Sequence, residues 1–213
     1  MRSVRDFLPL FEAAPMKAPP GREFLYSNAG FILLGLVVEE LTGEDFRSFV
    51  ASHIFQPCGM TRSGYFAMDA LPEKCAQGYL SPDQGDFRTN IYAVPVIGGP
   101  DGGAFTTVCD MRRFWTSLLS GDLLKPASVE RMTAPSVGVD PDRDDLHYGY
   151  GVWLRRTPAR RIVSVEGCDP GAALESFVCI EQGIVATVLS NVTNGAADVG
   201  NALAELLTGR RLN

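Results

Sequence analysis

Residues 19–35 read PPGREFLYSNAGFILLG, and the change of character inside this stretch fixes an element boundary. Pro19, Pro20 and Gly21 punctuate the chain as turn residues. From Asn28, a residue type that caps helices by accepting from their free amides, Phe31, Ile32, Leu34, Leu36, Val37, Val38 and Leu41 follow densely enough for a mostly buried helix that stops at Gly43. The apolar patch at 7–11 ahead of it runs into Pro15 and reads as loop.

Working outward, 45–55 carries Phe46, Phe49, Val50 and Ile54 at helical spacing and ends before Pro57. Periodicity fades over 61–103, where short strands are expected only around 77–80, and loops of this length tend to pack over a site. Thr107-x-x-Asp110 has the form of a capping box that uses Asp, and Val108, Met111, Phe114, Trp115, Leu118 and Leu119 form one face of the helix after it. A short helix is expected over 128–132. The last third is rich in β-branched and aromatic residues, with strands predicted at 148–154, 161–166, 175–180 and 184–189, a hairpin turn at 181–183 and an amphipathic covering helix over 196–207. The sum is an α+β chain, one domain over 1–213, helical to about 145 and sheet with its helix from about 146.

Composition narrows the function. A net charge of −6 is spread along the chain, with no basic run denser than Arg155-Arg156 and Arg160-Arg161, which excludes the concentrated positive face that nucleic acid requires. The longest apolar run, 31–38, is far short of the roughly 20 residues of a membrane span, and the start of the chain lacks signal-peptide character, so a cytoplasmic location is expected. Five cysteines without a Cys-x-x-Cys pair and only two histidines give no disulfide framework, no metal centre and no cofactor motif. Gly98-Gly99-Pro100-Asp101-Gly102-Gly103 reads as a turn rather than a phosphate cradle, because no Gly-Lys-Ser/Thr follows and Pro100 removes a donor. The acids of 140–145 read as a solvated loop.

Ordered landmarks then resemble the β-lactamase-related serine hydrolases, which include class C β-lactamases, DD-peptidases and esterases. They are Tyr26-Ser27-Asn28 in its flanking context, Glu39-Glu40-Leu41-Thr42-Gly43, residues 54–60, Gly102-Gly103-Ala104-Phe105-Thr106-Thr107, Gly149-Tyr150-Gly151, and Pro170-Gly171 before the final hairpin. The resemblance implies a β-lactamase/transpeptidase-like fold in N-terminally truncated form, since the family's N-terminal region supplies further strands and a central helix. It also implies Tyr26 and Asn28 as the second catalytic motif. In this family a Ser-x-x-Lys puts the nucleophile and its lysine on one helical face. This sequence contains none: three residues before Lys17, Lys74 and Lys125 stand Ala14, Leu71 and Asp122.

The family's third motif, Lys-Thr-Gly or His-x-Gly, falls on Val165-Glu166-Gly167 or, slipped by one, on Glu166-Gly167-Cys168, and either alignment lacks the expected cation or imidazole. Val165, Glu166, Gly167 and Cys168 are therefore the expected substrate-binding positions. Without neighbouring positive charge a tyrosine, with a reference pKa of about 10, is a poor base near neutrality. Two readings follow. One is part of an acyl-serine hydrolase of an ester, amide or β-lactam, with a small-molecule or peptide-like carbonyl substrate. The other is a non-catalytic binding protein, a pseudoenzyme using the same cleft. In both, a sheet edge and an apolar cleft left uncovered call for a missing N-terminal segment or homo-oligomerisation.

Overall fold

A computed structural model describes residues 1–80, 88–157 and 160–208. Part of the irregular stretch 61–103, residues 81–87, lies outside the described residues.

The scaffold is a six-stranded antiparallel meander in simple sequence order: β1 (Val137–Asp140), β2 (Arg143–Tyr148), β3 (Trp153–Thr157), β4 (Arg160–Asp169), β5 (Ala172–Cys179) and β6 (Ile184–Ser190). Alternation along the strands gives the sheet two apolar faces. Leu154, Val163, Val178 and Val185 are successive cross-strand partners and form a row on one face. That row packs under α3 (Val108–Ser120), whose Trp115 and Leu118 are fully buried, and under α4 (Pro126–Met132). Ile162, Cys179 and Ile184 form the neighbouring row on the opposite face, covered by Ala204, Leu203 and Leu207 of α5 (Ala197–Thr208).

Several sequence expectations shift by physical detail. The stretch 148–154 is not one strand: β2 ends at Tyr148, Gly149 approaches the Met132 carbonyl too closely for any Cβ, Gly151 takes φ +77°, and the chain reverses into β3. The sheet begins at Val137, ahead of the boundary near 146, because the polar run 140–145 is the tip and return strand of the β1–β2 hairpin rather than a loop. Pairing, which needs no apolar side chains on an outer strand, overrides the local composition.

At the other end, Ser3 and Asp6 form a true capping box on a 3-10 helix, Val4–Leu10, that buries Val4 and Phe7 against Ile32, where loop was expected. The helix over 45–55 is α2 (Phe46–Val50), with Asp45 accepting from the Arg47 and Ser48 amides, closed by a π turn, Ala51–Phe55. Thr107 accepts from the Asp110 amide as the capping pattern requires, but the Asp110 carboxylate turns inward. It accepts from the Arg62 amide at 2.9 Å and the Ser63 hydroxyl at 2.8 Å, and pairs with Arg113 at 2.7 Å. That inward turn ties the start of the irregular loop to α3.

Among the described residues no helix is long and apolar enough to cross a membrane.

Candidate active site

The cap of α1 (Asn28–Thr42) is Ser27, not Asn28: the Ser27 hydroxyl accepts from the Gly30 amide at 3.1 Å. Asn28 becomes the first helical residue, exposed, with its amide released from capping. One residue before the cap, Tyr26 lays its ring nearly parallel to that of Trp153, with centroids 6.3 Å apart and planes at 15°. Tyr148 meets Trp153 edge-on at 4.9 Å, and Phe24 packs against both. The Gly149–Gly151 reversal is what brings Tyr148 and Trp153 side by side at the strand ends.

A third piece closes the site. Gly99 and Gly102 exchange two backbone hydrogen bonds, of 2.8 and 3.1 Å, in a tight turn that presents Pro100 and Asp101. The turn expected over 98–103 is present, and glycine is required there because Gly102 and Gly103 have φ of +155° and +84° and Gly98 lies against Gly103. Arg47, almost fully buried on α2, donates through Nε to the Gly98 carbonyl at 2.6 Å, and Pro100 sits directly on Gly35 of α1.

The Gly35 contact supports a prediction. Alanine in place of a helix-interior glycine normally gains up to about 1 kcal/mol, but a Cβ at Gly35 would lie 2.0 Å from Pro100 Cγ. A rigid ring cannot yield, so Gly35→Ala is expected to lose about 1–3 kcal/mol by overpacking. Gly30→Ala on the same helix meets only Ser27 at 3.5 Å and should be neutral or stabilising. Urea unfolding midpoints of the two variants check the contrast.

The three pieces enclose a cleft of about 160 Å³, lined by Tyr26, Phe31, Tyr148 and Trp153 on its aromatic side and by Asp101 and Glu166 among its polar groups. Of the positions expected at the third motif, Val165 and Glu166 line this cleft, whereas Gly167 and Cys168 do not. Cys168 directs its thiol to the Thr193 carbonyl at 3.1 Å. A larger cavity, about 500 Å³, lies between α4 and strands β3 and β4, and Tyr26 takes no part in it. Among the described residues no cluster of His, Cys, Asp and Glu could hold a metal.

Electrostatically the cleft is acidic. Burial, then Glu166, Asp101 and Asp169 in turn, push the Tyr26 phenol above its ordinary value, so at neutral pH it is a protonated hydrogen-bond donor. Water reaches Glu166 along the open side, yet burial against the protein raises its carboxyl, partly offset by Arg155, and burial likewise raises Asp101 and Asp169. Asp101, Asp169, Tyr148 and Trp153 are contributors that the sequence did not mark. Glycine-rich turn composition at 98–103 signalled only that something there needed a tight backbone.

A carboxyl whose pKa is raised on folding prefers its protonated form in the folded state. Its penalty is absent below the ordinary carboxylate range and grows as pH rises through the raised value. Glu166→Gln is therefore expected to raise the melting temperature near pH 7.5, with the gain shrinking toward about pH 4. Calorimetry at the two pH values checks this, and a loss of stability at neutrality would contradict the sign.

Sequence and structural relatives agree on where this architecture belongs. The family model described as Beta-lactamase matches residues 2–210. The chain belongs to the beta-lactamase family. Among family relatives, Penicillin-binding protein 4* of Bacillus subtilis (strain 168) is 27% identical over 185 residues, 81% of this chain and 40% of that protein. A D-aminopeptidase of Brucella anthropi is 23% identical over 190 residues, 89% of this chain and 36% of its own length. The crystal structure of a penicillin binding protein from Bacillus halodurans superposes with a TM-score of 0.91 at 44% identity, covering 97% of this chain and 63% of that one. The β-lactamase/transpeptidase-like fold and the kinship with β-lactamase-related serine hydrolases follow directly. The chain spans about two fifths of the length of the two curated relatives.

Proposed function

We propose that these 213 residues form the Tyr-x-Asn and strand-motif part of an acyl-serine hydrolase acting on an ester, amide or β-lactam, the serine and its lysine coming from a segment outside this sequence. The observation that carries the reading is the convergence of Tyr26 and Glu166, from the segment before α1 and from a strand far apart in the sequence, on one cleft of about 160 Å³. In the assembled site Tyr26 handles the proton of the reacting hydroxyl, with the incoming lysine supplying the positive charge that Glu166, Asp101 and Asp169 counteract. Asn28, exposed on the first turn of α1, stands two residues from Tyr26 but is not among the residues that line the cleft.

Surface chemistry supports a missing partner segment. Helix α1 buries only Ile32 and Gly35 and leaves Leu33, Leu34, Val37 and Leu41 exposed, the last at 81%. An apolar stripe of this kind on one helix face marks an interaction site. Strand β6 has one strand neighbour in the sheet and therefore offers a further edge for pairing.

Fluorophosphonate and fluorescent-penicillin labelling test the proposal. This chain alone is expected to stay unlabelled. Mixed with the part of the Bacillus halodurans penicillin binding protein that lies outside the 63% this chain covers, it should give an acylated serine on the added segment. Absence of acylation in every mixture, despite complex formation, would favour binding without turnover. Self-association of the chain by ultracentrifugation, unaffected by the added segment, would instead assign the α1 face to a second copy.

A further inference from the structure

The cleft's own walls say what kind of group fits it, and this step rests on the proposed placement of the substrate beside Tyr26. Four aromatic rings line the cavity, with Tyr26 and Trp153 nearly parallel and Tyr148 edge-on to Trp153. Aromatic rings lining a small cavity can take up a cation over a ring face. Glu166 and Asp101 also line it, from opposite pieces of the fold, and Asp169 stands beside Gly102 of the turn. Among the described residues no lysine, arginine or histidine lines the cavity. Arg155, the cation acting on Glu166, is buried on β3.

A carboxylate ligand would meet two acids of this chain, and its one cationic partner would be the proposed incoming lysine, which Glu166, Asp101 and Asp169 already face. A cationic ligand would meet charge of opposite sign at close range in a partly desolvated site, and cation–π attraction as well. The volume, about 160 Å³, suits an alkylammonium group rather than a peptide side chain of large size. We infer that the cleft beside Tyr26 is a recognition site for an ammonium group, and that Glu166 selects substrates carrying a positive charge next to the scissile carbonyl over substrates carrying a carboxylate there.

The intact chain provides its own reporter. It contains two tryptophans, of which Trp115 is fully buried and bonded to Ser176, so ligand-dependent quenching reports Trp153. Three probes of nearly one shape separate charge from size: choline, the neutral isostere 3,3-dimethylbutan-1-ol, and the anion 3,3-dimethylbutyrate. Choline is expected to quench saturably and to bind about tenfold tighter than the neutral isostere. Glu166→Gln should collapse that ratio towards one, and Asp101→Asn should reduce it.

Equal binding of choline and the alcohol, tighter binding of the anion, an unchanged ratio in Glu166→Gln, or no saturable quenching by choline would each overturn the inference. Circular dichroism of the variants confirms that they are folded. Equilibrium binding needs no nucleophile, so choline selectivity without any acylation would remove the hydrolase reading and leave the ammonium site, while acylation without selectivity would do the reverse.

Discussion

Replacing Trp115 by alanine is expected to cost about 3–5 kcal/mol, the upper range for emptying a large buried aromatic site. The indole is completely excluded from solvent at the centre of the α3 face and touches the row that includes Leu154, Val163 and Val178. Its Nε1–H donates to Ser176 Oγ at 2.8 Å, and that hydroxyl in turn shares a hydrogen bond with Thr187 Oγ1, also at 2.8 Å. Alanine would leave a cavity between α3 and the paired strands, and the strands cannot close into it without disturbing the sheet. Trp115→Phe keeps most of the volume and removes only the donor; because Thr187 still satisfies Ser176, its cost should be nearer 1 kcal/mol. Urea unfolding followed by circular dichroism distinguishes them. A Trp115→Ala loss no greater than that of Trp115→Phe would mean that packing under α3 does not hold the sheet.

The same helix shows why parts of the fold could be read from sequence and others not. Trp115 and Leu118 recur at helical spacing, and their burial follows from that period alone. Likewise β4 to β6 are short β-branched runs bounded by Pro170-Gly171 and Gly183, and local pattern suffices. The β1–β2 hairpin fails the same test, because Asp140 to Asp145 hold acids whose pairing depends on partners rather than on apolar content.

Within the candidate cleft, Tyr26, Val165 and Glu166 were legible as members of motifs, each anchored by near neighbours in sequence. Asp101, Tyr148 and Trp153 were not. Asp101 reaches the cleft only because a glycine turn rests on Gly35 and is held by Arg47, and the two aromatics meet only because the chain reverses at Gly149 to Gly151. Such convergence is a property of tertiary contacts that no spacing rule encodes.

The second large effect is expected at Asp110. This carboxylate is fully buried, and its two oxygens take three partners from two elements: the Arg62 amide, the Ser63 hydroxyl and the Arg113 guanidinium. Asp110→Ala would leave the Arg62 amide and the Ser63 hydroxyl short of an acceptor; Ser63 keeps Thr106 as a partner at 2.8 Å, and Arg113, close to half exposed, can turn to water. The cost therefore falls below that of a wholly buried pair broken on one side, and about 2–3 kcal/mol is expected.

Its consequence extends to the cleft. Ser63 adjoins the Gly64 to Phe105 bridge, and Phe105 lies on the segment that follows the 99–102 turn, so loosening Asp110 frees the turn that presents Asp101. Asp110→Asn keeps one acceptor oxygen and the shape, and should retain more than half of the lost stability. Hydrogen exchange of the Gly64 and Phe105 amides, which donate to one another's carbonyls at 3.0 and 2.8 Å, checks the local part. In Asp110→Ala those amides should exchange faster by a larger factor than the global loss of stability explains. Exchange that tracks global unfolding alone would show that the carboxylate stabilises the fold without positioning the turn.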